Sequence, residues 1–295
     1  MEQNTQIDLG VTGLVDSSVE KSLRFSGLSI YIFRIKERRN MRKFVALLAL
    51  IFTTNLFAAA PTVEYERDNI LMLLSYSMVL KDWQSEYTGK DRGYNIGAVL
   101  YDEAANKIVG VQRNTTRACD DKTQHAEVRL MQDCLNGECR GDGKTRYLDK
   151  TTIYTTLEPC MMCSGMMAFL KVDRTLYGQA DPGFGKNIER LKLPYKGEEA
   201  NSRARNLKSI PAPFAERKQL DKLFAEYIER TGSDNVTAFL TTDEAKYVYY
   251  SAAFKLLTMD VVNKENESLY DQAMTMLFFT DDRDVNACFI GNLRH

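Results

Sequence analysis

The segment Thr155 to Cys163, TTLEPCMMC, holds Cys160 and Cys163 one helical turn apart, with Pro159 directly before the first. Upstream stand His125, Ala126 and Glu127, and the only other histidine in the 295 residues is the C-terminal His295. One imidazole and two thiols are zinc-type ligands, and three of them leave a tetrahedral ion one open position. Glu127, two residues beyond His125, is poorly placed at a helix start to become a fourth ligand. It is well placed to carry protons for a nucleophile that a metal activates. The constellation points to a catalytic Zn2+ site with His125, Cys160 and Cys163 as ligands and Glu127 as the acid/base. The backbone N–H of Cys160, at the opening of a helix, is a further candidate to polarise an oxygen. The competing reading is a zinc ion that only staples loops. Such sites carry four protein ligands as a rule, and no second cysteine pair stands at a suitable spacing.

These residues need elements to hold them. Apolar positions Ile70, Leu71, Leu74, Met78 and Val79 recur at helical spacing, which predicts an amphipathic helix from Val63 to about Tyr87. Residues 94–101 read as a buried strand and 106–111 as its hairpin partner. A polar loop then leads to a helix beginning near His125, which the turn residues Asn136-Gly137 and Gly141 to Gly143 end. The β-branched run from Thr151 to Thr156 is a strand, Cys160 to Leu170 a helix, and Asp173 to Tyr177 another strand. Alternation of this kind argues a layered α/β fold. Beyond Asn187 the chain turns polar and proline-interrupted to about residue 218, and then offers three helices near 214–230, 241–259 and 264–279. This tail reads as a helical cap, with the mouth of the site as one place for it.

Net charge is −1 with 44% hydrophobic residues, so the chain can bury a large core and carries no global basic field. Met41-Arg42-Lys43, the apolar run Phe44 to Phe52 and the small-residue end Ala58 to Ala60 have the anatomy of a secretory signal peptide. Residues 1–40 then read as a disordered or mis-annotated leader, with Met41 as the true start. The other readings of 41–60 are a buried apolar helix or a retained anchor, although the run is short for a membrane span. The expected localisation is export, periplasmic or secreted, and otherwise cytoplasmic. In the exported case Cys134 and Cys139 close a small disulfide loop; in the cytosolic case they are free thiols.

His125-Ala126-Glu127 followed by Glu158-Pro159-Cys160-Met161-Met162-Cys163 resembles the signature of the zinc-dependent cytidine/deoxycytidylate deaminase superfamily. Histidine as first ligand is similar to the branch with deoxycytidylate, guanine, yeast-type cytosine and tRNA adenosine deaminases. Gly97 to Leu100, Thr156 to Met166 and Val172 to Gly178 are most like bacterial tRNA adenosine deaminases and related nucleobase deaminases. The resemblance covers roughly residues 64–187. It implies a three-layer mixed sheet flanked by helices, a zinc deaminase domain over 61–187 and a helical C-terminal extension over 188–295. It also implies hydrolytic deamination of a purine or pyrimidine base, as free base, nucleoside or nucleotide. Asn114 falls where that branch places an asparagine that contacts the base, and Ala126 joins it as a substrate-binding position. By residue type alone, Asn114 is equally a turn asparagine.

The tail is longer than the terminal helix usual in tRNA adenosine deaminases, so their RNA-binding end does not carry over. Lys186, Arg190, Lys192, Lys196, Arg203, Arg205 and Lys208 offer a polyanion path, but Glu189, Glu198 and Glu199 among them favour a solvated surface. The expected partner is a small molecule, with RNA as the editing alternative and a homodimer open. The alternative from another class is a secreted zinc-binding interaction module in which Glu127 is idle.

Overall fold

The computed structural model describes residues 60–87, 91–137, 139, 147–192, 206–286 and 288, and Pro61–His295 forms one compact unit. The leader and all of the signal-peptide stretch but Ala60 lie outside the described residues. So do Gly141 to Gly143, Lys196, Arg203 and Arg205. Among the described residues, no helix is long and apolar enough to cross a membrane.

Five strands form a mixed sheet: β1 (Gly97–Asp102), β2 (Lys107–Arg113), β3 (Thr151–Thr155), β4 (Arg174–Tyr177) and β5 (Lys208–Pro211), in the order β2-β1-β3-β4-β5. β1 pairs antiparallel with β2 and β3, whereas β3–β4 and β4–β5 are parallel. Side chains alternate across the sheet as strand geometry requires. Ala98, Leu100 and Ile153 enter a cluster with α2 (Ala126–Asn136) and α3 (Met161–Phe169) on one face. Val99, Tyr101 and Tyr154 enter a second cluster with α1 (Val63–Leu80) on the other.

α1 ends at Leu80, not near Tyr87, and it is not amphipathic: every residue from Ile70 to Val79 is buried. A helix apolar all round must be covered all round. The sheet covers one side and the tail covers the other, through α5 (Ala215–Thr231), α7 (Asp243–Thr258) and α8 (Glu267–Phe279). The three tail helices read from sequence are therefore present. They are joined by the short α6 (Val236–Phe239) and α9 (Asp282–Asn286), and α4 (Asn187–Leu191) precedes β5.

The polar stretch after Asn187 is not wholly linker, because residues 208–211 in it supply β5. Its Lys-Ser-Ile-Pro sequence has little strand signature, and its pairing with β4 rather than local propensity makes it a strand. The strand expected to begin at Tyr94 begins at Gly97. The tail as a whole is an outer layer on α1, and only the start of α6 reaches the cleft described below.

Buried polar groups lock the layers together. The Glu66 carboxylate on α1 accepts from the N–H groups of Val262 and Asn263 and from the side-chain amides of Asn263 and Asn266. Arg113, fully buried at the end of β2, donates to Met78 O on α1 and to Asp282 Oδ1 of α9. Arg129, buried on α2, donates to Gln112, Thr115 and Gln124, and to Val285 O. Cys134–Cys139 is bridged, as the exported case expected. Cys119–Cys288 is a second bridge that the sequence did not suggest, because 169 residues separate the pair.

Candidate metal centre

Two helix starts that lie 35 residues apart in sequence meet at the end of β3. His125 is the N-cap residue of α2 and Cys160 that of α3, both with extended backbone and neither using its side chain as a cap. Their side chains are thus free to turn towards each other. Cys163 lies one turn into α3 and is fully buried. Pro159 stands just outside the N-cap Cys160, two places before the first helical residue Met161, and favours an extended chain before it.

The distances test the ligand reading. His125 Nδ1 lies 3.6 Å from each sulfur, and the sulfurs are 3.7 Å apart. Tetrahedral zinc with ordinary bond lengths would separate two sulfurs by about 3.8 Å, and a sulfur from a nitrogen by about 3.6 Å. The three atoms thus already form one face of the required tetrahedron, and among the described residues no other group joins them as a metal-binding cluster. Two helix N-termini converge here, and their partial positive charge favours thiolate ligands.

Protonation follows from the crowding. The hydrogen bond from Cys163, opposed by burial and aided by His125, draws the Cys160 thiol down to about 4. Cys163, as the donor in a buried place, is pushed well up. Burial works against the His125 imidazolium, but the Cys160 hydrogen bond and the Glu127 charge outweigh it and raise the imidazole's value. Burial raises Glu127.

Glu127 Oε1 accepts from Thr155 Oγ1 at 3.2 Å, which ties the start of α2 to the end of β3. Its Oε2 is buried without a hydrogen bond. A buried acceptor in that condition is costly unless another molecule meets it. It borders a cleft of about 750 Å³ whose wall includes His125, Glu127 and Cys160.

Asn114 is fully buried, and its Oδ1 accepts from the N–H groups of Tyr94 and Thr116 and from Thr116 Oγ1. Those donors fix the amide orientation, and Nδ2 is left buried without a partner. Arg92 holds the same residue from behind through Asn114 O at 2.6 Å. Ala126 is buried as the first residue of α2, beside the ligands.

Several wall residues were not found from the sequence. Glu158 takes the N–H groups of Asp181 and Lys186 on its two oxygens, so the loop 181–186 wraps around its carboxylate. Gly185 is needed there because a Cβ would collide with that carboxylate. The loop presents Phe184 at the mouth, 71% exposed. The opposite wall comes from the tail: Asp234 to Thr237, at the start of α6, lines the cleft. Asn235 caps α6 through Thr237 N and Ala238 N, and Asn95 Nδ2 donates to Leu240 O at 2.8 Å. That bond ties α6 to the segment carrying Tyr94 and Ile96. The turn residues Gly232 to Asn235 signal a helix start, but no local signal places it at the site. Of the basic path, Lys186, Arg190 and Lys208 are exposed and Lys192 is half-buried. None of the four lines the cleft.

Residues 74–179 match the family described as the cytidine and deoxycytidylate deaminase zinc-binding region. The tRNA-specific adenosine deaminase of Agrobacterium fabrum is 36% identical over 90 residues, 30% of this chain and 55% of that protein. The enzyme of the same description from Buchnera aphidicola subsp. Schizaphis graminum is 31% identical over 113 residues, 38% of this chain and 70% of that protein. The chain spans about half the length of several curated relatives it matches. A solved guanine deaminase from Nitrosomonas europaea overlays with a TM-score of 0.34 at 14% identity, covering 66% of this chain and 86% of that one.

Proposed function

The chain belongs to the cytidine and deoxycytidylate deaminase zinc-binding family, and from that premise we propose that it is a zinc-dependent hydrolase that deaminates a purine or pyrimidine base. The observation that carries this reading is the triangle of His125 Nδ1, Cys160 Sγ and Cys163 Sγ at zinc-ligand spacing, with the unsatisfied Glu127 Oε2 beside it. When bound, zinc supplies Lewis acidity that brings a water molecule's proton loss towards neutral pH. Glu127 takes that proton and passes it to a ring nitrogen of the substrate. It then takes the remaining proton of the added hydroxyl and delivers it to the departing amino group, so that the substrate's C–N bond breaks and water's oxygen is left as a carbonyl with release of ammonia. Thr155 Oγ1 steadies the carboxylate through these transfers. Asn114 Nδ2, buried without a partner but not among the residues lining the cleft, is assigned to an acceptor on the substrate, and the Cys160 N–H to an oxygen at the reacting carbon.

The substrate favoured is a small molecule: free base, nucleoside or nucleotide. The tail's Asp234–Thr237 wall and the acidic Glu158, Asp181 and Asp234 support this, since Lys122 alone among the lining residues is basic. RNA is the second reading, favoured by the tRNA-specific deaminases among the relatives. The two disulfides support an oxidising compartment, and hence export.

The test is ammonia release from cytosine, adenine, guanine and their nucleosides by zinc-loaded protein. Glu127→Gln retains zinc and falls by ~100-fold to 10,000-fold, the usual cost of losing a general acid/base. Wild-type turnover in that variant excludes Glu127 as the shuttle, and no release from any base, nucleoside or RNA leaves the zinc-binding module. Salt-sensitive retention of labelled RNA would favour the editing reading.

A further inference from the structure

α7 is apolar on two opposite faces. Ala245, Val248, Ala252 and Leu256 are buried in the core. Tyr247, Tyr250, Phe254 and Leu257 on the other side are 65, 61, 60 and 45% exposed. At 100° per residue these four fall within a stripe about 80° wide, and their 3-4-3 spacing is that of a coiled-coil seam. Single exposed apolar residues need no explanation, but a contiguous seam does. The helix lies in the tail, outside residues 74–179 that the family shares.

We propose that this stripe is a homodimer interface, in which α7 packs antiparallel on α7 of a second copy. The spacing is palindromic. Read from either end it is three, four, three, so an antiparallel copy sets Tyr247 against the partner's Leu257 and Tyr250 against the partner's Phe254. Each contact then recurs about a two-fold axis at residue 252, as an isologous interface requires. The area agrees. With about 150–250 Å² per aromatic side chain, the stripe leaves roughly 350–550 Å² uncovered per copy. Two copies thus cover on the order of 700–1,100 Å², before Lys246, Ser251 and Thr258 at the margins are counted, and specific interfaces begin near 1,000 Å². A lipid surface fits less well, because a helix lying on a membrane carries a polar face rich in Lys and Arg. Here the opposite face is core, and Lys255 is engaged by Glu216 at 3.1 Å.

Sedimentation equilibrium of the zinc-loaded full chain tests the interface. The wild type has twice the monomer mass. Tyr250→Lys and Phe254→Glu each halve that mass with zinc content and helicity unchanged. Mixing the two variants restores the doubled mass, because the antiparallel register sets the new lysine against the new glutamate. A monomeric wild type overturns the proposal. So do variants that stay dimeric, or a mixture that stays monomeric. A wild type that is monomeric in solution and co-floats with phosphatidylcholine–phosphatidylglycerol vesicles replaces the proposal with a membrane surface.

Discussion

The two faces of the sheet solve different problems. On one, α2 and α3 end their N-termini over β3 and spend their first residues on His125, Glu127, Cys160 and Cys163 rather than on caps. Those positions are held by a few specific contacts, such as Glu127 to Thr155. On the other face, α1 is enclosed by α5, α7 and α8 in a continuous apolar cluster, with Glu66 and Arg113 closing the polar ends. The first face stakes function on a handful of atoms. The second distributes stability over many, and its tail helices meet the cleft only through the start of α6. Substitutions on the first should therefore alter chemistry more than folding, and those on the second should do the reverse.

The largest expected effect is on the site face. Cys163→Ala removes a fully buried side chain proposed as a ligand, so zinc content measured by elemental analysis should drop far below one per chain and ammonia release should fall to background. Full zinc occupancy in that variant breaks the ligand assignment. On the tail face, Leu256→Ala leaves a cavity between α7 and α1 and costs about 2–5 kcal/mol in denaturant unfolding. Zinc per folded chain should not change. If zinc is lost in step with stability, the two faces are not separable.

The Cys119–Cys288 bridge sharpens the comparison, because it fastens the end of the tail to the loop before His125. Replacing both cysteines by serine should lower stability by about 2–4 kcal/mol, chiefly by freeing the unfolded chain. Unchanged unfolding in oxidised protein would show the bridge to be without effect. The smallest effect belongs to Glu66. Burial opposes its charge, but the Asn266, Val262 and Asn263 hydrogen bonds prevail and hold it below its ordinary 4.5. A lowered folded-state value gives stability that is in force above that pH and is lost as pH falls through the lowered value. Glu66→Gln should therefore cost about 1–3 kcal/mol at neutral pH and progressively less in acid. A difference independent of pH would remove charge from the explanation.

Much of the site was legible because its residues advertise themselves. His125, Cys160 and Cys163 are scarce residue types at metal-binding spacing, and Glu127 is fixed to His125 by the chain itself. The alternation of strands and helices through Tyr177 was legible for a similar reason, since each period is local. The bounds of α1 and its lack of a polar face were not, because a helix covered on both sides obeys its neighbours. β5 was missed because Lys-Ser-Ile-Pro becomes a strand only beside β4.

What the sequence determined by itself is therefore the chemistry: which side chains can hold a metal and which carboxylate can move a proton. It determined too that helices and strands alternate around them. Only the tertiary structure decided that three side chains from two distant segments close to 3.6–3.7 Å around one point, that Glu127 Oε2 is left without a partner and that α6 walls the cleft. It alone decided that Cys119 meets Cys288 and that α7 keeps an aromatic seam in solvent. Ligand type and helical period are properties of short stretches. Enclosure, pairing and exposure depend on which distant surfaces the chain brings together, and no short stretch encodes its partner.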